Sequence, residues 1–189
     1  MFESKAAWRP HIRWRWNEFM TNEEVFLKYS SGELARLFGR IETCVGKLTA
    51  EQIWRRAADH DNAVGNLVLH LAGNVRQWIL CGVGGQEDRR DRDSEFAARS
   101  GEDVVSRLRP VVAEAVALIA ALPGERLTET RTIQKHYKVT VLEAIYHVVE
   151  HFSMHTGQII FATKLLTGED LEFYGYLKSA KARVGETKP

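Results

Sequence analysis

The chain has 189 residues, with 26 Lys and Arg against 25 Asp and Glu, a formal net charge of +1. That balance gives no global attraction for nucleic acid or anionic lipid, and no apolar run approaches the length of a membrane span. Two cysteines, Cys44 and Cys81, make no disulfide framework, and no signal-peptide pattern opens the sequence, so the expected compartment is a reducing cytoplasm. The length suits one domain with a single core. Only four prolines, with long stretches rich in Ala, Leu, Glu and Arg, point to an all-α fold.

Residues 1–19 hold three of the five tryptophans together with Arg9, Arg13 and Arg15, and they precede Met20. They read as an N-terminal extension, with Met20 as a candidate initiator. A basic aromatic arm for nucleic acid or a membrane surface is the alternative. Thr21 with Glu24 forms a capping box that opens a helix whose apolar positions run from Val25 to Val45 mostly at spacings of three and four. Thr49 with Gln52 repeats the pattern before one or two further turns.

Residues 62–81 are apolar almost all round, as expected of a helix deep in a bundle, and Gly82, Gly84 and Gly85 end it. Within it Asn66, His70 and Asn74 recur every four residues. Gly73 costs this helix roughly 1 kcal/mol of propensity, and close packing of another helix near His70 is the expected reason. Residues 86–99, QEDRRDRDSEFAAR, mix charges of both signs and are expected to form a solvated loop; alternatively Arg89, Arg90 or Arg92 reaches over a pocket mouth to an anionic substrate.

A third long helix is expected from Ser100 to Leu122, kinked or divided at Pro110. Residues 125–139 should form an extended crossover. Thr140 with Glu143 then caps a last long helix reaching Leu166. Four long helices with long connections predict a four-helix bundle over residues 20–180, followed by a tail at 181–189.

The last helix carries His147, His151 and His155. Positions four apart are offset by about 40°, so the imidazoles form one stripe. With His151 at the origin of a helical wheel, Val141, Ile145, Val148, Phe152 and Ile159 fall on one flank and Met154 and Leu165 on the other, which sets the stripe inside the apolar arc. Buried unpaired imidazoles cost free energy, and a divalent cation bound through neutral nitrogens offsets that cost. His151 and His155 with His70 from the facing helix are the expected ligands. His147 is left open as a fourth ligand, a partner of a ligand, or a proton carrier. Three neutral imidazoles leave a coordination position free, the pattern of catalytic sites, and zinc, nickel and ferrous iron all suit them.

The segments HVVEHFSMHTGQI and GNLVLHLAGNVRQWI resemble the DinB/YfiT-like superfamily, over roughly Met20 to Leu177. The resemblance implies a four-helix bundle in up-down-down-up order, a divalent metal on His70, His151 and His155, and frequent dimers. Characterised relatives include transferases that conjugate low-molecular-weight thiols to electrophiles.

The leading functional expectation is a metal-dependent enzyme that activates a thiol or water toward a small electrophile, of the thiol transferase or hydrolase kind. His147 is its candidate base, and Asn66 and Asn74 are expected to orient substrate or a ligand. The alternative is a non-catalytic, stress-related binding bundle in which the metal only fastens helices. Leu142, Val149 and Ile160 lie opposite the histidines and suggest a homodimer.

Overall fold

The computed structural model describes residues 20–101 and 103–175. The extension 1–19 and the tail 181–189 lie outside the described residues. The chain is mostly helical: α1 (Asn22–Val45), α2 (Ala50–Trp54), α3 (Val64–Val75), α4 (Arg92–Ala97), α5 (Val104–Ala120) and α6 (Val141–Thr167). All three expected capping boxes form, with Thr21, Thr49 and Thr140 each accepting from the backbone N–H three residues on and receiving that residue's carboxylate or amide on their own N–H. Such a cap is worth about 1 kcal/mol. Gly168 closes α6 with φ of 72°, a left-handed turn open to glycine without strain.

Helices α1 and α3 each pack against both α5 and α6. The centre they enclose is apolar: Leu34, Ile41, Leu71, Leu108, Ile119, Ile145, Phe152 and Ile159 are wholly buried. Each such side chain contributes about 1.5–3 kcal/mol on leaving water. No helix among the described residues is long and apolar enough to cross a membrane.

Several expectations are corrected. The second long helix starts at Val64, not Asn62, and from Arg76 to Val83 it widens into a π-helix. The third starts at Val104, where Asp103 accepts from the N–H groups of Val105 and Ser106 at 3.0 and 3.3 Å. It runs unbroken through Pro110. Ser106, whose carbonyl loses its helical donor to the proline, lies with Pro110 on the exposed face, open to solvent.

Residues 125–139 form a 3₁₀ turn (Gly124–Thr128) and an antiparallel hairpin, β1 (Thr130–Ile133) with β2 (Tyr137–Thr140), in place of an extended crossover. The fold is therefore not purely helical. Gly82 lets the hairpin approach, since a Cβ there would stand 2.6 Å from Ile133 Cδ1. Finally, Met154 and Leu165 are 48% and 70% exposed, so that flank of α6 faces outward and the histidine stripe runs along the rim of the core.

Candidate metal centre

His70 is fixed on α3, and His151 and His155 stand on successive turns of α6. Their Nε2 atoms converge: His70 to His151 is 3.2 Å and His155 to His151 is 3.1 Å. One ligand nitrogen from each histidine fits within 4.8 Å of the others, the candidate metal group found among the described residues.

The remaining ring nitrogens decide the tautomers. His70 Nδ1 lies 3.0 Å from Glu95 Oε2, and His155 Nδ1 lies 2.6 Å from Gln158 Oε1. Both partners are acceptors, so both Nδ1 atoms carry the hydrogen and both Nε2 atoms present bare lone pairs. Arg90 Nη2 also stands 3.0 Å from His70 Nδ1; of its two hydrogens one goes to Glu95 Oε2 at 2.8 Å and the other to the His70 carbonyl at 3.4 Å, which leaves Nδ1 to donate to Glu95. His151 Nε2 can donate to only one of the two lone pairs it faces, whereas a cation accepts all three nitrogens at once. Nitrogens bound tetrahedrally to zinc at about 2.0–2.1 Å lie about 3.3 Å apart, close to the two separations from His151 Nε2. The donor set fits a divalent ion.

Electrostatics agree. Burial, followed by repulsion from His155, His70 and His147, pushes His151 down to about 3, so the imidazole is neutral and able to ligate near pH 7. Burial also lowers His155 and His147. Burial raises the Glu95 carboxyl, but hydrogen bonds from Arg90 and His70 outweigh it and hold the group below its ordinary value, as a carboxylate.

His147 lies beside the nitrogen cluster, outside it. Its ring stacks on His151 at 5.6 Å between centroids and on Trp78 at 4.0 Å, and Trp78 in turn meets Tyr137 of β2 at 5.7 Å. The hairpin thus completes an aromatic wall running from the histidines outward. Asn74 is buried one turn beyond His70, and its Oδ1 has no hydrogen-bond partner; Trp78 Nε1 and His151 Nδ1 share that condition.

Asn66 corrects an expectation. Its Oδ1 accepts from Ala63 N–H at 3.1 Å and from Arg56 at 2.7 Å, and its amide donates to the carbonyls of Glu95 and Ala98, both at 2.9 Å. Fully buried and fully engaged, it ties down the 86–99 segment and has nothing to offer substrate. That segment is a solvated loop only in part: residues 86–89 and 91–94 are exposed, but Asp91 caps α4, and Glu95 is buried. Of its arginines, Arg90 is taken up by Glu95, Arg89 pairs with Glu87 at 2.5 Å on the exposed surface, and Arg92 lies over the Phe96 ring at 4.9 Å.

Glu95, Gln158 and Trp78 are the site residues that sequence reading missed. Gln158 and Trp78 were within reach of it, standing three residues after His155 and eight after His70 on the same faces. Glu95 was not, because no periodicity links it to His70.

A family model described as a protein of unknown function (DUF1572) matches residues 22–179. No curated protein matches. Among solved structures, a conserved protein from Enterococcus faecalis is similar with a TM-score of 0.64 at 19% identity, covering 80% of this chain and 100% of that one. A DinB-like protein from Bacillus cereus ATCC 10987 is similar with a TM-score of 0.60 at 17% identity, covering 78% and 94%. These likenesses show a DinB-like fold, and with a family model matching most of its length the chain belongs to the DUF1572 family.

Proposed function

We propose that this protein is a divalent-metal-dependent enzyme whose ligands are His70, His151 and His155, acting on a small-molecule substrate through a thiol or water, in the manner of a thiol transferase or a hydrolase. The observation that carries the reading is the convergence of three Nε2 atoms, two of them stripped of hydrogen by Glu95 and Gln158. A bound divalent ion would supply Lewis acidity, lowering the pKa of a coordinated water or thiol toward neutrality. Zinc, nickel and ferrous iron all suit the donor set.

Around the ion the chain supplies the rest. His147, held neutral by burial, is placed to take a proton, and stacking on Trp78 fixes its ring. Asn74 Oδ1, buried and without a partner, is the acceptor that a polar group of the substrate would satisfy. The position on the rim of the core supports catalysis over a purely fastening role, since His151 and His155 are only half-buried. The scaffold is read as a four-helix bundle of α1, α3, α5 and α6 in up-down-down-up order. A reducing cytoplasm suits the free thiols of Cys44 and Cys81.

The test is metal content by mass spectrometry on untagged full chain beside His151→Ala. Near-stoichiometric metal, absent from the variant, supports the site and directs a screen of thiols and electrophiles. No metal in the wild type, even after incubation with zinc or nickel, removes the reading.

A further inference from the structure

The 86–99 segment is the most charge-dense stretch between the long helices, yet its Glu95 and Arg90 side chains are only 9% and 6% exposed. Burying an ion pair costs more desolvation than its attraction returns unless the geometry is good and the remaining polar atoms are satisfied. Here they are. Arg90 forks onto the carboxylate, Nε to Oε1 and Nη2 to Oε2, both at 2.8 Å, and its Nη1 donates to Gln77 Oε1 at 2.9 Å. The carboxylate's other engagement is His70 Nδ1.

We infer that Glu95 is a positioning residue, holding the hydrogen of His70 on Nδ1 so that the Nε2 lone pair faces His151 and His155, with Arg90 keeping the carboxylate in place. The inference rests on the metal-binding reading, whose ligand Glu95 serves. An ionised carboxylate only accepts, so with the two hydrogens of Arg90 Nη2 spent on Glu95 Oε2 and the His70 carbonyl, His70 donates through Nδ1; a neutral imidazole carries one N–H, so Nε2 is left bare. Such a partner also fixes the ring's rotation and strengthens it as a ligand.

One face of the α3 helix and its continuation receives the whole device. Asn66 binds the Glu95 carbonyl, His70 binds its side chain, and Gln77 binds Arg90. Gly73 makes the room: a Cβ there would stand 1.9 Å from Glu95 Oε1 and 2.8 Å from Arg90 Nε. Positions 66, 70, 73 and 77 are spaced by four, three and four, one continuous stripe. The helix-weakening glycine thus serves the close approach of another helix expected there: α4 packs on α3 at this point, and the missing Cβ is what lets its Glu95 carboxylate reach His70.

Two measurements test this on the full chain. The first uses metal-free protein with ¹⁵N-labelled histidine, reading from long-range nitrogen–proton correlations which His70 nitrogen is protonated. Nδ1–H is expected in the wild type, with a shift toward Nε2–H in Glu95→Ala; Nε2–H in the wild type, or no change in the variant, overturns the assignment. The second measures Zn²⁺ affinity by competition with a chromophoric chelator. Glu95→Ala should bind about 10–100-fold more weakly, and Glu95→Gln, which keeps an acceptor oxygen, should recover part of the loss.

Gly73→Ala keeps every charge but drives its Cβ into the carboxylate, so it should weaken Zn²⁺ binding in the same direction even if Glu95→Ala fails to fold. Asp91→Ala removes the cap of α4 without touching His70 and should bind nearly as wild type. Unchanged affinity in the Glu95 and Gly73 variants, or an equal loss in Asp91→Ala, overturns the positioning role while leaving the metal site standing. A wild type that binds no Zn²⁺ sinks the metal reading instead, and the tautomer measurement still decides what Glu95 does.

Discussion

His151 is the imidazole whose proton equilibrium moves furthest, pushed by burial and then by its histidine neighbours from 6.5 to about 3. In the unfolded chain it protonates near its ordinary value, so below that pH the unfolded state binds more protons than the folded one. Its contribution to stability is therefore complete above 6.5 and is lost as pH falls toward about 3. His155 and His147, also lowered by burial, act in the same sense. The metal-free protein should show a melting temperature that is flat above about pH 7 and declines steadily below about 6.5. A constant value down to about pH 4.5 would falsify the neutral-stripe account. His147 is separated from its neighbours by what it touches. Standing outside the nitrogen cluster against Trp78, it should be dispensable for binding: His147→Ala is expected to retain the metal content of the wild type, and loss of metal would make it a ligand.

At the scale of elements, α3 and the 86–99 segment stand or fall together. Asn66 is wholly buried and satisfies two carbonyls of the segment besides Arg56 and the N–H of Ala63. Replacing it by Ala leaves those buried groups unpaired, each at about 1–3 kcal/mol, so Asn66→Ala should destabilise by at least about 2 kcal/mol in a denaturant melt. An effect within about 0.5 kcal/mol would mean that the segment is held by other contacts. The hairpin has a comparable role, carrying Tyr137 against Trp78 and Gln134 against Gln77. Its turn places Gln134 and Lys135 at φ of 53° and 62°. Hairpin turns of this hand are usually announced by Gly or Asn. Neither is present here, which is why the pattern read as an extended crossover.

At the scale of the whole molecule, the distinction between a catalytic and a fastening ion becomes measurable. The aliphatic core spans α1, α3, α5 and α6 without help from the histidines, and three ligands leave the ion exchangeable. Stripping with a chelator should lower the melting temperature by the few degrees that follow from losing about 2.7 kcal/mol of linkage at a hundredfold excess over Kd, with helical circular dichroism retained. Unfolding on chelation would favour the fastening role. The outer face of α6 bears on assembly. Val149 and Ile160, expected on a dimer face, are half-buried within the protomer, while Leu142, Tyr146, Phe161 and Leu165 are exposed. The homodimer proposal therefore moves to that arc, and sedimentation that shows a monomer at every concentration would rule it out.

What the sequence determined by itself is everything that depends on local periodicity. Three capping boxes located three helix starts, because a cap is a contact across three residues. The i, i+4 spacing put His151 and His155 on one stripe, because helical geometry is the same wherever a helix occurs, and the polar repeat on α3 singled out His70. The tertiary structure alone decided the depth of the stripe, the Nδ1 partner of His70, and the duty of Asn66. Those depend on which segment folds back over α3, a contact between residues 25 apart in the chain for His70 and Glu95. Charge-rich composition argued for solvent at 86–99, which holds for most of the segment; it was overridden at Arg90 and Glu95 because mutual pairing, with Gly73 making space, satisfies buried charges as fully as water does.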